Sequence, residues 1–455
     1  MGFVLSVLYF VTYYLTPVVV FGPIAAVHIE VILAALVFVV SLPALPRSYL
    51  LKTPQSLALI GLAIATFLSV LIGEHWLGGG LQAFLDFIPC AFAYYLVCLH
   101  FNSKRRLKIL VLMMLFVCLF VIARGSIELR HSDPDSASQS PGSGYGSYLL
   151  AMKSDAGEWF YRLRGQGQIN DPNDFGQVIV SVIPLVFIFW RSKRTMLNIV
   201  LVILPVSVLL YGAYLTHSRG ALVALMAAAV VAARRRIGTL PALLVAGVLF
   251  AAAIALHFTG GREISAESGA GRMALWGEGL ELMKSHPLFG VGYGNMKDYS
   301  DHTAHNSIAV CAAELGLTGL FFWSMFLFPT VRNALALASP SKVSEGEPVE
   351  PAEEFVQLPA RKIEVIDKAE VNRLGRLLII SLTGFLVTGW FLSRAYVMTL
   401  FLLGGITEVV FEMAFRQGMI APRLPYTRVM PYAAVLAISL VLLMYIMLRV
   451  TNLTH

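Results

Sequence analysis

One histidine and a few arginines are the residues whose type and spacing could do chemistry here. His305 closes the run Asp301-His302-Thr303-Ala304-His305-Asn306, and an apolar stretch begins directly after it at Ser307. Imidazole titrates near neutrality, so a neutral histidine is a natural general base for a hydroxyl group. Neighbouring guanidinium groups would help keep it neutral. The alternative is a histidine bonded to backbone at a helix start. Arg162 and Arg164 lie in WFYRLRGQGQINDPNDFGQ, Arg219 in THSRGAL, and Arg272 in GGREISAESGAGRMALW. A guanidinium is permanently charged and presents paired planar donors, a geometry suited to phosphate oxygens. Asp301, His302 and His305 offer weak metal-ligand spacing, without an HExxH pattern or a cysteine set, so no metal or other cofactor is expected.

These residues sit in a chain built for lipid. Of 455 residues, 57% are hydrophobic and only 13% are charged, against about 25% charged in ordinary soluble domains. Mean hydropathy is +0.74. A spanning helix needs about 20 mostly apolar residues, and suitable stretches fall near 3–20, 24–43, 55–73, 82–101, 108–123, 175–190, 196–215, 218–233, 239–257, 306–331, 376–393, 395–411 and 430–448. The expected fold is an all-α polytopic membrane protein of 12 to 13 spans, with the first span retained rather than cleaved. Disorder and an ordinary soluble enzyme are excluded, and the net charge of +7 is no sign of nucleic-acid binding. Cys90, Cys98, Cys118 and Cys311 all fall in apolar stretches and read as small buried hydrophobes.

Charge sets the expected sidedness. Basic clusters at Arg47 and Lys52, at 104–108, at 191–194, at 234–236 and within 332–376 are each separated by two spans, so all can face the cytoplasm together. That arrangement divides the chain into N-terminal spans (1–123), a first large outer loop (124–174), central spans (175–257), a second outer loop ending at the histidine (258–305), a span (306–337), a flexible cytoplasmic linker rich in glutamate (338–372) and C-terminal spans (373–455).

Arg219 is the sharpest of the outer charges. Counted from Ala221, only 13 residues precede the triplet beginning at Arg234, too few to cross about 30 Å at about 1.5 Å per residue. Its helix must therefore include the arginine at or just inside the outer boundary, where it faces an anionic ligand or else snorkels to lipid headgroups. Arg162 and Arg164 have the alternative of pairing with Asp155 or Glu158, and Arg272 that of an ordinary surface charge opening an amphipathic helix. Arg124, Arg130, Arg262 and Arg394 read as surface charges. Asp171 and Asn173 either touch substrate and order the loop, or form an Asp-Pro-Asn turn capping the next helix. Gly290 to Asn295 (GVGYGN) lacks the strand and lysine of a phosphate loop and reads as a turn.

At His305-Asn306, followed by Gly316 and Gly319, the chain resembles the O-antigen ligase and polymerase superfamily. The resemblance also rests on Ser218 to Gly220, on Asp171-Pro172-Asn173, and on Arg272, Trp276, His286-Pro287 and Gly290-Val291-Gly292. It spans about residues 160 to 320. It implies a GT-C-like fold and a metal-independent, inverting glycosyltransferase that uses an undecaprenyl-diphosphate-linked glycan at the periplasmic face of the bacterial inner membrane. In that setting His305 is the base, Arg219 and Arg272 bind the diphosphate, and Arg162 and Arg164 assist. Asp171, Asn173, Asn306 and His302 are candidate substrate or loop-ordering residues. Gly316 lies about 16 Å along a helix from His305, so Gly316 and Gly319 read as packing positions for a neighbouring helix.

The acceptor is a glycolipid, lipid A-core, in a ligase; a second lipid-linked repeat in a polymerase; or protein Ser or Thr in an O-oligosaccharyltransferase. No separate outer domain is evident for a protein acceptor, which favours the ligase narrowly. Membrane lipids are the other expected partners. A transporter or flippase would instead use intramembrane acids, for which Glu30, Asp86, Glu314 and Glu408 are available.

Overall fold

Inside a bilayer a backbone amide finds its partner only within its own segment, so the apolar stretches must coil. The computed structural model describes residues 1–16, 29–46, 48–132, 146–154, 156–260, 266–300, 303–339 and 366–451. His302, Asp301, Arg262, Asp155 and residues 340–365 of the expected linker lie outside them. The long helices are α1 (Gly2–Leu15), α2 (Ile29–Ser41), α3 (Pro54–Gly73), α4 (Leu77–His100), α5 (Lys104–His131), α6 (Pro172–Val186), α7 (Thr195–Leu215), α8 (Arg219–Ile237), α9 (Thr239–Ala255), α10 (Ala266–Ser285), α11 (Ser307–Ala338), α12 (Lys368–Gly389), α13 (Met398–Phe415) and α14 (Tyr426–Val450). Among the described residues the only strands are β1 (Leu149–Lys153) and β2 (Trp159–Leu163), an antiparallel hairpin in the first outer loop.

Nine of these helices are long and apolar enough to cross a membrane, and α1, α2 and α9 are shorter apolar helices. α8 carries Arg219 at its start and Arg234 to Arg236 in its last turn. Those three cations also suit the negative end of the helix dipole. The chain is a multi-pass membrane protein. α13 lies at its heart, with 94% of its apolar stretch buried, against 22% for α14 at the periphery.

The ends of the bundle differ in chemistry. At one end Lys104 pairs with Glu370, Arg373 donates to the Trp190 carbonyl at 2.9 Å, and Arg235 reaches the Ala338 carbonyl at 3.3 Å. Arg423 pairs there with Glu408 and Glu412 under the ring of Tyr49. Among the described residues, basic groups of the 104–108, 234–236 and 332–376 clusters thus collect on one face. The hairpin, α10 and the starts of α6, α8 and α11 occupy the other.

α11 departs from the expected straight span. At Gly316 the backbone turns to φ 63°, ψ −160°, and the segment 287–292 docks into the break. Leu317 N donates to Pro287 O at 2.8 Å, and Val291 N to Ala313 O at 2.9 Å. Gly316 is therefore a backbone-to-backbone contact rather than a packing position for a neighbouring helix. A Cβ there would stand 2.7 Å from the Leu288 carbonyl group. A Cβ on Gly319 would first meet the Leu315 side chain of its own helix.

Candidate active site

The turn that presents Arg219 is fixed by its own sequence and held from three sides. Ser218 Oγ accepts the N–H of Ala221 at 3.3 Å, capping α8 so that Arg219 is its first residue. His217, at φ 47°, places Nδ1 3.0 Å from the Phe258 carbonyl and meets the rings of Phe160 and Tyr214 edge-on. Arg162, almost fully buried, donates through Nε to Thr216 O at 2.8 Å. From the third side, a Cβ on Gly220 would lie 3.3 Å from that of Phe391.

Arg162 also donates to Asn173 Oδ1 at 2.9 Å and faces Met152 Sδ at 3.3 Å. It joins hairpin, α6 and the Arg219 turn rather than pairing with Glu158. Asp171 caps α6, its Oδ1 accepting from Asn173 N at 2.7 Å with Pro172 in the first helical position. The turn makes the helix cap that its sequence allows. Burial lowers the pKa of Arg164, partly offset by the carboxylates of Glu128 and Asp171.

Arg272, on α10, lies within electrostatic reach of Arg219. Burial lowers its pKa, and the charge of Arg219 lowers it further. Two guanidinium groups from distant parts of the chain thus act on each other electrostatically, and a bound anion would favour the charged form of both. One helical turn on from Arg272, Trp276 is buried and meets Trp390 edge-to-face at 5.7 Å.

His305 stands at φ 48° just ahead of α11. Non-glycine residues seldom occupy that region. Its N–H donates to Ser393 Oγ at 2.9 Å. Asn306 caps α11 by accepting from Ile308 N and Ala309 N at 2.8 and 3.0 Å, while its Nδ2 donates to Trp390 O at 3.1 Å. Ser307 Oγ donates to Leu392 O at 2.7 Å and accepts from Arg394 N at 3.1 Å. Both ordering roles, Asn306 and Asp171, are helix caps.

Arg394, read from sequence as a surface charge, pairs with the buried Asp174 of α6. Burial alone would lower its pKa, but Asp174 outweighs that and holds it above the ordinary value. Sequence reasoning missed the connector 390–394 as a site element. Its one signal was a very short outer turn that nevertheless carries Trp390, Phe391 and Arg394. Two of the four acids offered for transport, Glu408 and Glu314, are occupied otherwise. Glu408 is fully buried and bonded by Arg423, Gln55 and Asn333, and Glu314 accepts backbone N–H groups from Gly294 and Met296.

Residues 204–324 match the family described as O-antigen ligase. The matched stretch contains Arg219, Arg272, His305 and the break at Gly316, and stops short of the connector 390–394. No curated protein matches the chain.

Proposed function

We propose that this membrane protein, whose residues 204–324 match the O-antigen ligase family, transfers a glycan from undecaprenyl diphosphate to a sugar hydroxyl of lipid A-core. The superfamily's enzymes are glycosyltransferase-like. The donor, the acceptor and the roles of individual residues are our reading. In it, His305 takes the proton of the acceptor hydroxyl as that oxygen attacks the anomeric carbon from the side opposite the phosphate. The bond from anomeric carbon to phosphate oxygen breaks with inversion, and undecaprenyl diphosphate departs. Arg219 and Arg272 stabilise the charge gathered on the departing diphosphate without a metal ion. Arg164 stands by as a weaker helper. Arg162, Asp171, Asn173 and Asn306 act through backbone and neighbours, by holding the turn and capping the helices. The positive-inside bias puts this end of the bundle on the periplasmic side of the inner membrane.

The observation that carries the reading is that the charge of Arg219 acts on Arg272, with His305 tied to the same connector that touches Gly220. Arg219→Lys tests it. A point charge cannot reproduce a bidentate fork, so transfer from a purified undecaprenyl-diphosphate glycan to lipid A-core should fall by about tenfold or more, the weight of one charged hydrogen bond. Full activity would reduce Arg219 to a headgroup contact.

A further inference from the structure

Five residues between α12 and α13, Trp390 to Arg394, reach each part of the candidate site. The Trp390 ring meets Trp276, one turn from Arg272, and its carbonyl accepts from Asn306. Phe391 lies against Gly220, next to Arg219. Leu392 and Arg394 share the hydroxyl of Ser307, and Ser393 accepts the amide of His305. Arg394 is then tied to Asp174 at the start of α6. The connector lies outside the stretch that matches the ligase family.

We propose that this strap is the positioning device of the transfer site, with Ser393 as the residue that sets the attitude of His305. A histidine keeps a left-handed backbone only where its surroundings over-determine it, and Ser393 Oγ on the amide of His305 is such a restraint. Without it the segment 304–306 relaxes toward extended or right-handed backbone. Either change swings the Cα–Cβ bond and carries the imidazole away from its present position. A displacement of about 1 Å at a reacting group is enough to cost about a hundredfold in rate. The Arg394–Asp174 pair fixes the strap itself, so the restraint is transmitted from α6. Because Arg219 also touches this strap through its neighbour Gly220, the strap keeps the base and the diphosphate cradle at one spacing. Ser393 and Arg394 are positioning residues and touch no reacting atom.

The inference rests on His305 being the base, and the test separates the two. The full-length protein is assayed with an undecaprenyl-diphosphate-linked glycan as donor and, as acceptor, lipid A-core from cells lacking the gene. Ser393→Ala should lower kcat by about tenfold or more, one hydrogen bond's worth or above. Donor KM should stay within about twofold, and the heat-denaturation midpoint should not move. Ser393→Thr, which keeps the hydroxyl, should restore most of kcat, and His305→Ala should abolish transfer. A dead His305→Ala beside a fully active Ser393→Ala overturns the strap and leaves the base in place. So does a Ser393→Ala variant whose loss lies in KM, or one that threonine fails to rescue. Turnover retained in His305→Ala removes the reading on which the strap depends.

Discussion

Replacing Gly316 with alanine strikes the break in α11, and its cost follows from the local geometry. At φ 63°, ψ −160° the backbone is in a region nearly confined to glycine, worth about 1–3 kcal/mol against any other residue. The new Cβ would stand 2.7 Å from the carbonyl carbon and oxygen of Leu288 and 2.8 Å from Gly290 N. All three are backbone atoms, so segment 287–292 must withdraw. Four hydrogen bonds depend on its present place: Leu317 N to Pro287 O at 2.8 Å, Thr318 N to Leu288 O at 3.2 Å, Val291 N to Ala313 O at 2.9 Å, and Gly292 N to Glu314 O at 3.1 Å. Losing two of them adds about 1–3 kcal/mol, so the whole change costs about 2–6 kcal/mol. The assay is the temperature at which the detergent-purified protein loses its monodisperse gel-filtration peak. Gly247→Ala is the control, since nothing lies within 4 Å of its added Cβ and alanine in mid-helix gains about 0.5–1 kcal/mol. Gly316→Ala should melt several degrees below wild type and Gly247→Ala at or above it. Equal midpoints for Gly316→Ala and wild type would refute both the break and the docking of segment 287–292.

Two other substitutions probe ties at opposite ends of the bundle. Arg162→Lys offers one ammonium where the Thr216 carbonyl and Asn173 Oδ1 are both served now. The midpoint should drop by the equivalent of about 1.5–3 kcal/mol, one charged hydrogen bond. An unchanged midpoint with a raised donor KM would instead make Arg162 a phosphate ligand. Arg423→Gln strands the buried carboxylates of Glu408 and Glu412, costing about 3–5 kcal/mol. Poor yield and a low midpoint are expected; a normal midpoint would show that neither acid is charged there.

The parts of this molecule that local sequence sets were legible in it. Apolar length predicts the helices, and the Asp171-Pro172 turn, offered as a cap, serves as one; Ser218 and Asn306, not read that way, are caps of the same local kind. The spacing of Arg219 from Arg234 placed Arg219 at a helix start, where it is found. What was not legible depends on contacts between distant segments. Nothing near Arg394 in the sequence points to Asp174, and nothing near Arg162 points to the Thr216 carbonyl; both are chosen by packing. Gly316 illustrates the same limit. In an apolar run a glycine reads as a small packing surface, and only the approach of residues 287–292 shows that its freedom of φ is what the position uses.

The central claim is that one imidazole and two guanidinium groups form a single transfer site. The most direct measurement compares wild type with His305→Ala, in EDTA, for transfer to lipid A-core and for the rise in melting midpoint that the undecaprenyl-diphosphate glycan produces. The expected result is that the variant transfers nothing yet is stabilised by the donor as wild type is, while EDTA leaves the wild-type rate unchanged. Near-normal turnover by His305→Ala, or a wild-type rate that collapses in EDTA and returns with one divalent ion, would contradict it.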